Sequence, residues 1–306
     1  MTGSDSHRSV AADVRPKCLV VGWFSFRGGG ATAGDILTRD LTCDWLDAAG
    51  YDCEVAGVPP FAGVDWRTSE PTDYRLVVFV CGPFTRGEFE NEFLQRFRAC
   101  RLVGVNLSML VPQHEWRPFD LLFERDSSEA VNPDLAFRSS RPHPPVVGLC
   151  LVEDYPDALV AEANAAVERL VAAREMSVVH IDTRLETNET GLRTPGEVEA
   201  LISRMDALVT TRLHGTVLAL KNGVPPLSID VLGDGRKVLR QCQRIGWPVV
   251  FAADALVHDE LVAGLDYCLG PEGRIRADQC AARAGLAVDE IRDRFIRSLR
   301  TGPGTT

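Results

Sequence analysis

Apolar and polar positions alternate along this chain in blocks, and the blocks fall into two successive series. Lys17 to Phe24 is a continuous apolar run of the kind that becomes a strand buried on both faces. A Gly-rich segment, Arg27-Gly28-Gly29-Gly30-Ala31-Thr32-Ala33-Gly34-Asp35, follows it. The spacing then predicts a helix with Ile36, Leu37, Leu41, Trp45 and Leu46 on its inward face, stopped at Gly50. Further strands are predicted at 52–58, 76–80, 102–107 and 119–123, with a helix at 88–100. Residues 138–145 carry three prolines, which remove donors and fix φ, so they read as a linker.

The alternation restarts beyond it. Strands are predicted at 146–152, 177–181, 207–211, 226–231 and 248–251, with helices at 157–174, 195–205 and 236–244. The end is helical, with Val288, Ile291, Phe295 and Leu299 spaced for one apolar face. Two series of alternating strands and helices predict two parallel sheets with helices on both faces. The expected organisation is a disordered 1–15, a first domain over 16–140, a second over 141–300, and a disordered 301–306. The fold class is α/β, with two Rossmann-like domains facing across a cleft, as in GT-B-like transferases.

Composition narrows the function. A chain of 306 residues suits about two domains at ~100–200 residues each. A net charge of −10 argues against a nucleic-acid surface and gives no support to binding an anionic membrane. Nine Cys at irregular spacings, without a C-x-x-C pair, read as small hydrophobes in a reduced chain. The polar N-terminus has no secretory signal and no apolar run is long enough to span a bilayer, so a cytoplasmic location is expected. A homo-oligomer is compatible with all of this. No His, Asp or Glu set has metal-ligand spacing, and no metal is expected.

Three segments could carry chemistry. Val209-Thr210-Thr211-Arg212-Leu213-His214-Gly215 reads as a strand end, a turn and a helix start. Such a helix start offers free N–H groups to an anion, beside a bidentate cation and a group titrating near neutrality. The bland alternative makes Arg212 a structural ion-pair partner and packs His214. Lys237 lies at another strand-to-helix turn, where it reads as a solvated Lys or as a second cation of the same site. The Gly28–Asp35 loop meets the dinucleotide pattern literally as Gly28-x-Gly30-x-x-Ala33, but no acid clearly ends the second strand. Asp35 reads as a helix cap or as an acceptor for a substrate hydroxyl. His180, inside an apolar strand, reads as a core histidine.

These segments resemble the polysaccharide pyruvyl transferase family. The resemblance rests on Arg212-Leu213-His214 with Gly223-Val224-Pro225 and Lys237, and on Arg125-Asp126-Ser127. Asn132-Pro133-Asp134-Leu135-Ala136-Phe137 and Gly34-Asp35 add to it. It implies a GT-B-like fold and transfer of the pyruvyl group of phosphoenolpyruvate to hydroxyls of a sugar-like acceptor, forming a ketal and releasing phosphate. Phosphoenolpyruvate is then a co-substrate, and no cofactor is expected. In the resemblance, Arg212 and His214 match the family's active-site Arg and His, and Asp35 and Lys237 match cleft-lining positions. Catalysis is expected of His214, Arg212 and Asp35, donor binding of Arg212, Thr211, Gly215 and Lys237, and acceptor binding of Gly30, Thr32, Gly34 and Asp35. Two departures fall on the acceptor side: Thr32 stands where the family has Asn, and Cys81-Gly82-Pro83 replaces a Gly-rich stretch. The alternatives are a glycosyltransferase using a nucleotide-sugar, and a non-catalytic sugar- or anion-binding relative.

Overall fold

The computed structural model describes residues 15–152, 158–187, 189–231 and 236–300. The expected disordered ends, nearly all of 1–15 and 301–306, lie outside the described residues, as does the Gly233-Asp234-Gly235 turn. The chain divides into two compact units, Met1–Arg141 and Pro142–Thr306, and the division falls inside the Pro-rich segment.

The first unit is built on β1 (Lys17–Gly22), β2 (Asp52–Val55), β3 (Leu76–Phe84), β4 (Arg101–Met109) and β5 (Leu121–Phe123). All pair in parallel, in the order β2-β1-β3-β4-β5. Helices α1 (Ala33–Ala48) and α2 (Glu88–Arg96) cover it. One core is aromatic, with Trp66, Phe79, Phe84, Phe93 and Phe97 fully buried. The other lies under α1 and joins Cys18, Val20, Val78 and Val105 to Ile36, Cys43 and Leu46.

The second unit repeats the plan. Strands β6 (Val146–Cys150), β7 (Ser177–His180), β8 (Ala207–Thr210), β9 (Pro226–Asp230) and β10 (Val250–Ala252) pair in parallel as β10-β9-β8-β6-β7. The helices are α3 (Ala158–Ala172), α4 (Pro195–Ile202), α5 (Leu213–Lys221), α6 (Lys237–Ile245), α7 (His258–Leu269) and α8 (Pro271–Arg300). Its two clusters of buried side chains draw only on residues of this unit. The α/β class with two Rossmann-like sheets is therefore as expected.

Several local expectations need correction. Trp45 is 48% exposed, and Thr38 and Thr42 take the buried positions of α1. Ile36 and Leu46 do pack on the core, but the closest approach of the helix to the sheet falls on the short Thr38 and Thr42, with Thr42 Oγ1 donating to the Thr38 carbonyl. Strand β3 does not stop at Val80. It runs on to Phe84, with Cys81 and Gly82 both at positive φ, and the neighbouring Asn106 of β4 matches them. The indole of Trp23 occupies the space a Gly82 Cβ would need, and its Nε1 donates to the Pro83 carbonyl at 3.2 Å. His180 is exposed, because β7 is an edge strand. Val288, Ile291, Phe295 and Leu299 share a stripe of α8, but all are more than half exposed.

Candidate active site

In both units the strand order reverses between the first strand and the third. Ligands of open parallel sheets bind outside the carboxyl ends of the strands at that reversal. In the second unit this is the gap between β6 and β8, and a cavity of about 360 Å³ lies there. Arg212, His214 and Lys237 all line it, together with Thr183, Thr211 and Asp230. Val152, Val160, Leu213, Val231 and Val238 form its apolar wall.

The turn after β8 is fixed by hydroxyls. Thr210 Oγ1 donates to the Cys150 carbonyl at 2.7 Å and accepts from Arg212 N at 3.0 Å. Thr211, buried, accepts from Val152 N at 2.7 Å, so its hydroxyl frames the cavity by joining the ends of β6 and β8. Arg212 is the N-cap of α5 with extended backbone, and its own side chain makes no capping hydrogen bond. The first N–H groups of α5 therefore stay available to an anion. A Cβ on Gly215 would run into Thr210 Oγ1 and stand 3.2 Å from Cys150 Sγ. Gly215 thus serves close packing of α5 on the sheet, whatever its N–H does.

Arg212 is half-buried and oriented. Its Nε donates to the Leu151 carbonyl at 2.8 Å, and its Nη2 lies 3.5 Å from Asp182 Oδ1. His214 is exposed at the mouth, and among the described residues its ring has no hydrogen-bond partner. Lys237 is the exposed first residue of α6. The N-terminus of α6 already holds an acid: buried Asp230 accepts from Val238 N and Leu239 N, both at 2.9 Å. The positive charge of this cavity therefore comes from α5 and the side chains, not from α6.

Residues 131–232 match the polysaccharide pyruvyl transferase family. The match supports a transferase, and its span includes Thr211, Arg212, His214 and Gly215 but stops short of Lys237. No curated protein matches the chain. Among solved structures, the spinosyn forosaminyltransferase SpnP is 12% identical at a TM-score of 0.35, over 93% of this chain and 100% of that one. The glycosyltransferase SnogD from Streptomyces nogalater is 15% identical at 0.31, over 88% and 94%. UDP-GlcNAc 2-epimerase from Methanocaldococcus jannaschii is 8% identical at 0.33, over 90% and 99%.

The residues expected on the acceptor side lie together in the first unit, at the carboxyl end of β1. Gly28 and Gly30 hold positive φ with open space around them. Thr32 is the N-cap of α1, and Gly34 lies in the first turn. Asp35 Oδ2 accepts from Thr32 N at 2.7 Å and from Thr32 Oγ1 at 2.8 Å. The hydrogen bonds of Asp35 are thus those of a capping box.

The Arg125 and Asp134 segments that carry the family resemblance form a staple in the same unit. Arg125 Nε donates to Asp126 Oδ2 at 3.1 Å, its Nη1 to Asp134 Oδ2 at 3.0 Å, and its Nη2 to Ser108 Oγ. These contacts tie the ends of β4 and β5 to the segment leading out of the unit.

Sequence reasoning passed over Asp182, Thr183, Arg184 and Asp230. Burial would raise the Asp182 pKa, but N–H bonds from the Arg184 backbone and side chain and the charge of Arg212 hold it below the usual carboxylate range. The signal for Asp182 was positional, since it follows a strand end as Arg212 does.

Among the described residues, no group of three or more His, Cys, Asp or Glu is placed to hold a metal ion. No helix among them is long and apolar enough to cross a membrane.

Proposed function

We propose that this chain transfers the pyruvyl group of phosphoenolpyruvate to two hydroxyls of a sugar or sugar-like acceptor, forming a ketal and releasing phosphate. The observation that carries the reading is the convergence of Arg212, His214, Lys237 and the uncapped start of α5 on one cavity with an apolar wall. Phosphoenolpyruvate presents a carboxylate, a phosphate and an apolar methylene carbon in one small molecule. Arg212, Lys237 and the α5 N–H groups hold the two anions. His214 in its protonated form donates to the methylene carbon, making it a methyl group and leaving an oxocarbenium-like centre at the adjacent carbon. A first acceptor hydroxyl adds there and loses its proton. The second hydroxyl displaces phosphate and closes the ketal. The valine wall keeps water from the cationic centre.

The cavity favours this donor over a nucleotide-sugar. Its volume of about 360 Å³ sits at the small end of the ~300–1,000 Å³ usual for ligand sites. Among the described residues that line it, none is Phe, Tyr or Trp, so no large aromatic face is offered to a base. Acceptor recognition is assigned to the first unit, around Gly30, Thr32, Gly34 and Asp35.

The test is a melting-shift titration with phosphoenolpyruvate against a panel of nucleotide-sugars. A ligand that binds only the native state stabilises it by about 2.7 kcal/mol at a hundredfold excess over Kd. A shift with phosphoenolpyruvate alone is expected. A shift with nucleotide-sugars alone would replace this reading by the glycosyltransferase one.

A further inference from the structure

We infer that Asp182 is a positioning residue of the donor site, holding Arg212 by one edge so that the other edge is presented to the anion. The inference rests on the donor-site reading above and adds a residue to it.

Asp182 follows β7, the strand on the far side of β6 from β8. Its side chain is 13% exposed. It is held rigidly: Oδ1 accepts from Arg184 N at 2.8 Å, and Oδ2 accepts from Arg184 Nε at 3.0 Å. Arg212 reaches across the end of β6 to meet it. On the way the Nε–H of Arg212 is taken by the Leu151 carbonyl at 2.8 Å, and Nη2 stands 3.5 Å from Asp182 Oδ1. In a planar guanidinium, the Nε–H and one Nη2 N–H lie along the same edge. Leu151 takes the Nε–H of that edge, and Asp182 stands beside its Nη2 end. Among the described residues Nη1 has no hydrogen-bond partner. The end of the fork, formed by Nη1 and the second Nη2 N–H, is left for a carboxylate or phosphate oxygen.

This arrangement removes rotamer freedom before the ligand arrives. A long Arg side chain loses much of its rotamer entropy when immobilised. Two fixed points on the protein take that cost at folding and not at binding. Asp182 also carries a negative charge beside an anion site. If it acted only through its charge it would repel the donor, and its removal would tighten binding. If it positions Arg212, its removal weakens binding. The sign separates the two roles.

The test measures phosphoenolpyruvate and inorganic phosphate affinity by calorimetry for the full-length wild type, Asp182→Ala and the near-isosteric Asp182→Asn. Melting curves check that each variant is folded; if Asp182→Ala is not, Asp182→Asn decides alone. The expected loss for Asp182→Ala is roughly tenfold, the effect of releasing Arg212 from one of its two fixed points. In an Arg212→Lys background, where the fork is gone, Asp182→Ala should have little further effect. Equal or tighter binding by folded Asp182 variants overturns the inference, as does an undiminished effect in that background. If the wild type binds phosphate but not phosphoenolpyruvate, the donor reading fails, and the phosphate series alone decides the role of Asp182. If it binds neither, both fall together.

Discussion

Arg212 and Leu151 are joined by a single hydrogen bond, from Nε to the main-chain carbonyl at 2.8 Å, and that bond anchors a β8-turn cation on the end of β6. A Lys at this position has one donor group for three tasks: the Leu151 carbonyl, Asp182 and the anion. Arg212→Lys should therefore raise the donor KM and lower kcat/KM by roughly tenfold or more, despite keeping the charge. Initial rates at varied phosphoenolpyruvate decide it, and unchanged constants would make Arg212 a structural residue.

The His214 ring has no hydrogen-bond partner among the described residues and is exposed, so His214→Ala should leave the melting temperature within about a degree or two, as surface changes do. Turnover should fall by ~10²–10⁴, the usual contribution of a positioned acid. Phosphate release at saturating donor is the measurement, and near-normal activity would remove His214 from the mechanism.

Gly215 is set by packing. A methyl group there meets Thr210 Oγ1 and Cys150 Sγ, neither of which is the end of a long flexible side chain. Gly215→Ala should lower stability by about 1–3 kcal/mol, as overpacking does. A stability curve matching the wild type would show that α5 can lift off the sheet at no cost.

The acids around Arg125 should give the protein a defined acid limit. The Ser108 hydroxyl, then Arg125, holds Asp126 below the usual carboxylate range. Burial would raise Asp134, but the Ala136 N–H and Arg125 outweigh it and lower its pKa as well. A carboxylate with a depressed folded pKa stabilises the fold above its unfolded value, near ~3.9, and that contribution is lost as pH falls through the folded value. Melting temperature should be insensitive to these groups near neutrality and drop below about pH 4. In Arg125→Gln the neutral-pH melting temperature should be lower and the acid drop shallower. An unchanged acid profile in that variant would mean these pairs do not contribute.

Much of the scaffold could be read from the chain because buried parallel strands are near-continuous apolar runs. Val77–Val80 and Leu227–Ile229 are examples, flanked by turn residues. The Arg212-Leu213-His214 turn was legible for the same reason: an apolar strand ran straight into charged residues. Trp45 misled because its spacing fits an inward face, while burial of α1 follows the small Thr38 and Thr42. The α8 stripe misled because periodicity marks which residues share a face, and says nothing about whether anything covers it. Asp182 carried a positional signal at a strand end, but its pairing with Arg212 was illegible because that partner lies two strands away in a sheet whose order departs from chain order. No local pattern encodes that neighbourhood.

The separate cores have a calorimetric consequence. The buried clusters of Met1–Arg141 and of Pro142–Thr306 draw on their own residues alone, so each half carries its own cooperative unit. The heat-capacity trace should then resolve into two endotherms, and a van't Hoff analysis of the whole should underestimate the calorimetric enthalpy. Every proposed donor contact lies in the second half. Saturating phosphoenolpyruvate should move one endotherm and leave its companion where it was, which makes a scanning experiment a map of which half holds the donor.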